Sequence, residues 1–250
     1  LSVGINLNVN NACNWQCIYC EIPNLTRGTP PPIELDVLEE ELRFFLHEII
    51  HGDYMEKNVS IEDRHLKDIA FSGNGEPTSA EEFPEVISIV KKLLEEFNLL
   101  HKLKIRLITN GSLMHQTSVI KSVEMLNEIN GEVWFKVDAA TEESIKTINQ
   151  VNLKPHQILE RLKMSTNVCP TFVQTCIFSI QGKGPSEKDI KAYVDLINEV
   201  KNNIQGVHLY GLARPSLQPL AKNLARVNEA TLENIAKKLR SLDIKTTVSY

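Results

Sequence analysis

The 250-residue sequence lacks any run of 18 apolar residues, and nothing at its start resembles a signal peptide. It also lacks internal repeats, low-complexity tracts and glycine–serine linkers, and the run of prolines at 30–32 is too short to separate two domains. With 42% apolar residues, a chain of this length can bury one sizeable core. These features predict a single domain over residues 1–250 of a soluble, cytoplasmic protein without a membrane partner. Because the chain begins at Leu1 inside an alternating apolar segment, we also expect an N-terminal piece to be missing.

Positively charged side chains are fewer than negatively charged ones. The 27 lysines and arginines are outnumbered by 32 aspartates and glutamates, which gives a formal net charge of −5. Such a chain has no global cationic field that would attract nucleic acid or anionic lipid. Composition therefore excludes only the strongly basic classes of binding protein, and a local basic patch is compatible with this total.

Cysteine is also rare, yet three of the five cysteines lie within eight residues, at Cys13, Cys17 and Cys20. Disulfides would leave one of them unpaired. A cubane iron–sulfur cluster normally takes four cysteines and a structural zinc ion four Cys or His ligands, so three thiolates leave one coordination position open. The spacing C-x3-C-x2-C favours a cluster, with zinc as the alternative. The histidines that zinc would need, His47 and His51, lie far along the chain on a predicted helix.

Strand and helix patterns alternate along the whole chain. Segments rich in β-branched residues predict strands at 3–9, 68–72, 103–109, 132–138, 171–180 and 206–211. Apolar residues at helical spacing follow each strand, at 35–49, 83–97, 119–126, 145–162 with a break at Pro155, 190–200 and 232–242. Ser186 and Asn228 are predicted caps of the last two helices. The alternation predicts an α/β fold with parallel strands, either an open doubly wound sheet or a partial (β/α)6 TIM-like barrel.

The unusual residues all follow the carboxyl ends of predicted strands. The cysteines follow the first strand, the segment 73–77 the second and Asn110 the third. Asp138 ends the fourth strand, and Arg214 follows the sixth. Loops at this end of a β/α barrel converge on one active site, so the placement favours the barrel.

Two motifs carry a resemblance to a known family. The cysteine triplet, with Tyr19 before its last cysteine, and the segment SGNGEPT at 72–78 resemble the radical S-adenosylmethionine (SAM) superfamily over nearly the whole chain. The segments LITNGSL, VWFKVDAATEESIKTIN and ARP further resemble the bacterial and archaeal Fe–S oxidoreductases related to wyosine-base synthases. The chain departs from those enzymes because it shows no second cysteine cluster, carries no flavin domain and is acidic.

The resemblance implies a catalytic reaction. Cys13, Cys17 and Cys20 would hold three irons of a [4Fe-4S] cluster, and the fourth iron would bind the amino and carboxylate groups of SAM. Reductive cleavage of SAM would give methionine and a 5′-deoxyadenosyl radical that takes hydrogen from an unidentified small molecule, peptide or RNA. The electron would come from a donor such as flavodoxin or ferredoxin. Alternative functions are a tRNA-modifying enzyme, a glycyl-radical activase and a non-catalytic zinc-binding module.

The resemblance also assigns residues to SAM. Gly73, Asn74 and Gly75 would let their backbone approach the methionyl group closely, and Glu76 would fix that loop. Three further candidates are Tyr19 in the cysteine loop, Asn110 for the ribose or methionyl group, and Lys136 for the SAM carboxylate or a substrate anion. Asp138 would bind the ribose hydroxyls or cap a helix. Arg214 would bind an anionic group or form a surface salt bridge. Period-two alternation does not decide whether Gln174 and Cys176 face the barrel interior, so Cys176 and Cys169 are first interpreted as buried apolar residues.

Overall fold

The computed structural model describes residues 1–250, and its centre is a sheet of seven parallel strands whose spatial order follows the chain order. The strands are β1 Ser2–Ile5, β2 Asp68–Phe71, β3 Lys104–Thr109, β4 Gly131–Lys136, β5 Thr171–Cys176, β6 Gly206–Tyr210 and β7 Thr246–Ser249. Two short ladders lie outside this sheet: Ala12–Cys13 pairs with Thr26–Arg27, and Phe178–Ile180 pairs with Leu224–Arg226.

Helices connect the strands. They are α1 Leu35–Ile50, α2 Tyr54–Asn58, α3 Phe83–Glu96, α4 Thr117–Glu128, α5 Glu142–Ile148, α6 Pro155–Val168, α7 Glu187–Asn198 and α8 Glu229–Arg240. The predicted caps are confirmed, since Ser186 Oγ accepts from the Asp189 amide at 3.2 Å and Asn228 Oδ1 from the Thr231 amide at 2.9 Å. None of these helices has the length and apolar character needed to cross a bilayer.

Only one face of the sheet is covered by helices. In β3, Ile105 and Leu107 are fully buried in the core that the sheet forms with the helices, whereas the alternating Arg106 and Ile108 are half-buried. A doubly wound sheet would bury both faces. The fold is therefore the predicted partial TIM-like barrel, and the half-buried face is its interior.

The barrel has seven strands rather than the predicted six. The additional strand, β7, is only four residues long and pairs with β6 along its length. The first predicted strand is also too long, because β1 ends at Ile5 and residues 6–11 turn toward the cysteine loop. Likewise β5 ends at Cys176, and Phe178–Ile180 leaves the sheet to pair with Leu224–Arg226.

Candidate active site

The carboxyl ends of the strands surround a cavity of about 360 Å³. One wall is the cysteine loop, and a second wall is the loop that follows β2. The floor is formed by residues that point inward from the central strands, namely Ile108, Lys136, Gln174, Cys176 and Tyr210. The structure thus brings the two motifs and the inner strand ends to one place.

Hydrogen bonds hold the cysteine loop against two neighbouring elements. The Ile18 amide donates to the Ile148 carbonyl at the end of α5, at 2.9 Å. On the other side, the hydroxyl of Ser216 donates to the Ile18 carbonyl at 2.7 Å, and the Leu217 amide donates to the Cys20 carbonyl at 3.0 Å. The main chain of the second half of the loop is therefore held by hydrogen bonds from both neighbouring elements.

The donor chemistry of this loop fits an iron–sulfur cluster. All five cysteines are free, and Cys13, Cys17 and Cys20 line the same cavity wall. Burial raises the pKa of Cys13 to about 11 and that of Cys17 to about 12. The charge of Cys20 further raises the pKa of Cys13, so these thiols become thiolates readily only beside a cation.

A single zinc ion fits the same residues less well. Tetrahedral zinc needs its ligands to converge on one point, and no three His, Cys, Asp or Glu side chains do so. A cubane instead takes one thiolate at each of several irons. His47 lies on α1 and His51 is the residue that caps its C-terminal end, and neither lines the cavity.

The glycines after β2 are required by the protein's own packing. Gly73 has φ of +137°, and a Cβ there would lie 2.5 Å from Asn6 Oδ1. A Cβ on Gly75 would lie 2.1 Å from the Ala12 carbonyl oxygen. Both glycines also line the cavity, so close approach to the segment that precedes the cysteines is a second reason for them, beside the predicted close approach to a ligand.

Replacing Gly75 with alanine is expected to lower the free energy of unfolding by about 1–3 kcal/mol, because the added methyl group overpacks a rigid backbone contact. Urea denaturation monitored by circular dichroism measures this change. Gly184→Ala is the matched control, since a Cβ there would meet only Val227 Cγ1 at 3.8 Å. Equal unfolding free energies for the two variants would contradict the assignment.

Glu76 fixes the loop, as the sequence predicts. Its side chain is buried, and Oε1 accepts hydrogen bonds from the Thr78 hydroxyl at 2.7 Å and the Thr109 hydroxyl at 2.6 Å. Its Oε2 accepts from the Asn110 amide at 2.7 Å. Burial raises the pKa of Glu76, and these donors oppose the shift. The carboxyl group joins the end of β2 to the end of β3, and the residue also lines the cavity.

Asn110 and Asn74 lie in the cavity wall, with their side chains already engaged. The Asn110 amide nitrogen donates to Asn14 Oδ1 at 2.9 Å, and its oxygen accepts from the Ser112 amide at 2.9 Å. The side-chain amide of Asn74 donates to Asn11 Oδ1 at 2.6 Å. Each asparagine therefore orders the turn it occupies and also presents surface to the cavity.

Lys136 provides a positive charge on the cavity floor, where 17% of its side chain is exposed. Its ammonium donates to the Tyr210 hydroxyl at 2.7 Å and lies 5.0 Å from the centre of the Tyr19 ring. Burial alone would lower the pKa of Lys136, but Asp138, 3.9 Å away, together with Tyr210 and Cys176 outweighs burial, and the pKa is raised. The residue is thus a cation with aromatic neighbours and one carboxylate.

Asp138 is saturated by protein donors. Its side chain has no exposed surface. Oδ2 accepts from the Tyr19 hydroxyl at 2.5 Å and from the Asn149 amide at 3.1 Å, while Oδ1 accepts from the Cys176 backbone amide at 3.1 Å. In this arrangement no oxygen is available to a ribose hydroxyl. The alternative role as a helix cap is wrong, because Thr141 caps α5.

Arg214 lies outside the cavity. Its side chain is 80% exposed and forms a salt bridge with Glu21 at 3.1 Å, which is the surface alternative considered above. The cysteines outside the triplet differ from each other. Both are buried, as predicted, Cys169 in the main core at the end of α6 and Cys176 in a smaller apolar cluster, and Cys176 also lines the cavity beside Gln174.

Two contributors carried no recognisable sequence signal. Tyr210 extends into the cavity from the last residue of β6, and Asn149 contacts both Cys17 and Asp138 from the end of α5. Either residue type is ordinary at the end of a strand or a helix. Only the position of Tyr210 at the carboxyl end of a barrel strand could have indicated it.

Known proteins resemble this chain in sequence and in fold. At 22% identity the chain matches a protein named GTPase Obg from Brachyspira hyodysenteriae, over 80% of this chain and 26% of that protein. It matches a UPF0026 protein from Synechocystis at 23% identity, over 60% of this chain and 48% of that protein. The chain therefore spans about a quarter and about half of the length of these curated relatives.

A radical SAM methyltransferase from Sphaerobacter thermophilus has the same fold. It superposes with a TM-score of 0.65 at 15% identity, over 100% of this chain and 66% of that chain. The model of the radical SAM superfamily matches residues 7–197, more than half of the chain and the part that holds the cysteines, the glycine loop and Lys136. The chain is therefore a member of the radical SAM superfamily, whose cofactors are a [4Fe-4S] cluster and SAM.

Proposed function

We propose that the chain is a radical SAM enzyme that cleaves SAM reductively and abstracts hydrogen from a substrate held in the barrel. The observation that carries this proposal is the shared cavity. Cys13, Cys17 and Cys20 line it together with the glycine loop and the inner ends of four strands. Three thiols without a fourth protein ligand, facing a space of about 360 Å³, provide for a cluster and for a ligand beside it.

The residues of the chain have separate tasks in this proposal. The three cysteines hold irons, and the backbone of Gly73, Asn74 and Gly75 forms the wall that the methionyl group would contact. Lys136 supplies a positive charge for an anionic group of a ligand, since its ammonium has donors left after the bond to Tyr210. A cluster held by these cysteines would supply, once reduced, the electron that cleaves the S–C5′ bond of SAM to methionine and a 5′-deoxyadenosyl radical, and this radical would take hydrogen from the substrate.

The remaining cavity residues exclude water and shape the substrate space. Gln174, Cys176 and Tyr210 line the floor, and the last two are buried enough that their pKa values are raised by burial. A dry, rigid cavity protects a radical from solvent. An external donor such as flavodoxin or ferredoxin would supply the electron, and the reducing cytoplasm would suit an oxygen-labile cluster.

The rim of the cavity favours no particular substrate class. A basic rim would favour RNA, and a large apolar rim would favour a protein partner. The segment after β6 carries Arg214, neutralised by Glu21, and the leucines Leu217 and Leu220, which are 57% and 41% exposed. We therefore propose no second function.

The test is anaerobic reconstitution with iron and sulfide, followed by reduction in the presence of SAM. A brown protein that bleaches with dithionite, contains about four irons per chain and releases 5′-deoxyadenosine is expected. A colourless protein that takes up zinc and never cleaves SAM with any electron donor would contradict the proposal.

Substrate is expected to accelerate this cleavage. Without it, the reduced protein should form 5′-deoxyadenosine slowly, because the cavity is incompletely filled and the reacting atoms are poorly positioned. Candidates drawn from metabolites, peptides and transfer RNA are screened in deuterated form. Faster cleavage with deuterium in the 5′-deoxyadenosine identifies the substrate class, and faster cleavage without deuterium transfer would contradict direct abstraction from that compound.

A further inference from the structure

Asn149 contacts a cysteine of the candidate cluster site from the end of α5. It is 1% exposed, and its side-chain nitrogen lies 3.3 Å from Cys17 Sγ and 3.1 Å from Asp138 Oδ2. No other asparagine of the chain places its amide nitrogen against a cysteine sulfur. The proposed reaction assigns no task to this contact.

The orientation of this amide is fixed by its neighbours. An asparagine amide has two N–H donors, and here one points to the sulfur and the other to the carboxylate. The reversed amide would place its oxygen against a carboxylate oxygen and lose both hydrogen bonds, so the assignment does not depend on distinguishing nitrogen from oxygen. Asn149 therefore donates to Cys17.

The main chain fixes the position of Asn149 as well. Its amide donates to the Ile145 carbonyl at 2.9 Å, which ends α5, and its carbonyl accepts from the Gln16 amide at 3.3 Å. Asn149 is thus attached to the residue that precedes Cys17 and to Cys17 itself. A side chain held at both ends keeps its donor in place whichever charge the sulfur carries.

We propose that Asn149 is a positioning residue that raises the reduction potential of the cluster by donating an N–H···S hydrogen bond to Cys17. The inference rests on the proposed function, because it requires Cys17 to hold an iron. Reduction adds negative charge that the thiolate sulfurs share, so a fixed donor stabilises the reduced cluster more than the oxidised one. The effect opposes that of the nearby Asp138 carboxylate, whose negative charge disfavours reduction.

The test compares the holoprotein with Asn149→Leu, a side chain of similar size without a donor. Both proteins are reconstituted anaerobically and titrated with mediators while the reduced cluster is followed by electron paramagnetic resonance. We expect Asn149→Leu to bind as much iron as the parent and to show a lower midpoint potential. Gln150→Ala is the matched control, because it loses a side-chain hydrogen bond to the Thr147 carbonyl at the same helix end without touching a sulfur. It should keep the parent potential.

A second measurement keeps the inference testable if Asn149→Leu loses iron. The parent is labelled with ¹⁵N in its asparagine side-chain amides, and pulsed paramagnetic resonance of the reduced cluster should detect a ¹⁵N coupling, because only Asn149 donates to a cluster ligand in this way. An unchanged potential in iron-replete Asn149→Leu, or no ¹⁵N coupling in the parent, overturns the inference and leaves the proposed function intact. A parent that assembles no cluster overturns the proposed function, and this inference with it.

Discussion

Replacing Cys17 with alanine is expected to abolish cluster binding and to reduce formation of 5′-deoxyadenosine from SAM to background. In the proposed site each thiolate would hold a different iron, so no remaining ligand can substitute for the missing one. The fold should persist, because the cysteine loop lies at the carboxyl ends of the strands and none of its three cysteines belongs to the main core. Iron analysis, chromatography of the reduced reaction and circular dichroism measure these three quantities. The same outcome is expected for Cys13 and Cys20.

Cys169 provides the control for this series. It lies at the end of α6, just before β5 begins, and is therefore at the opposite end of the barrel from the cavity. Cys169→Ala should bind as much iron as the parent. Cys176→Ala should also retain iron, although its activity can change because the thiol faces the cavity. A triplet variant that still forms 5′-deoxyadenosine at the parent rate would show that the ligands have been chosen wrongly.

The order of strands and helices in the barrel could be predicted from the sequence because the patterns that indicate each element are local. Buried strands and amphipathic helices each leave a periodic pattern within roughly ten to fifteen residues, and the sheet and the structural match to a radical SAM methyltransferase confirm the predicted partial barrel. The strand β7 was missed because Thr246–Ser249 has only one apolar residue, Val248, and becomes a strand by pairing with β6. Strand ends were misplaced where tertiary hydrogen bonds, rather than composition, end the ladder.

In the candidate site, too, the local motifs could be predicted from the sequence and the long-range contacts could not. The cysteine triplet and the segment SGNGEPT are local, and the structure brings both to one cavity. The partners of Asp138 are not local, because Tyr19 lies 119 positions before it along the chain and Cys176 lies 38 positions after it. The sequence alone indicates that a carboxylate lies at the end of a strand. It does not indicate whether the protein or a ligand supplies the hydrogen-bond donors to that carboxylate.

Gly75 illustrates a second limit. A glycine in a loop indicates that something approaches the backbone closely, but not what. Here the approaching atom is the Ala12 carbonyl oxygen. The face of β5 was likewise undecided by alternation, and the structure assigns Gln174 inward by pairing it in register with Lys136.

Replacing Asp138 with alanine is expected to lower the free energy of unfolding by about 3–5 kcal/mol, because it leaves the largely buried Lys136 charge without its carboxylate. The Tyr19 hydroxyl, the Asn149 amide and the Cys176 amide lose their acceptor at the same time. Urea denaturation of the anaerobic protein measures the change. Asp195→Ala is the control, since that carboxylate lies on the exposed face of α7 in a surface pair with Lys191, and it should change the unfolding free energy little.

The variant Asp138→Asn separates this internal role from the predicted ribose contact. The asparagine oxygen still accepts a hydrogen bond from the Cys176 backbone amide, but the asparagine nitrogen faces the side-chain nitrogen of Asn149 and cannot accept from it. The substitution also removes the negative charge beside Lys136. We therefore expect a large loss of stability and weaker attachment of the cysteine loop, seen as faster loss of iron to a chelator. A ribose ligand would behave differently, because its replacement would weaken SAM binding in calorimetry while the unfolding free energy of the SAM-free protein stayed at the parent value. That second pattern would support the ribose assignment and require Asp138 to exchange its protein donors for the ligand.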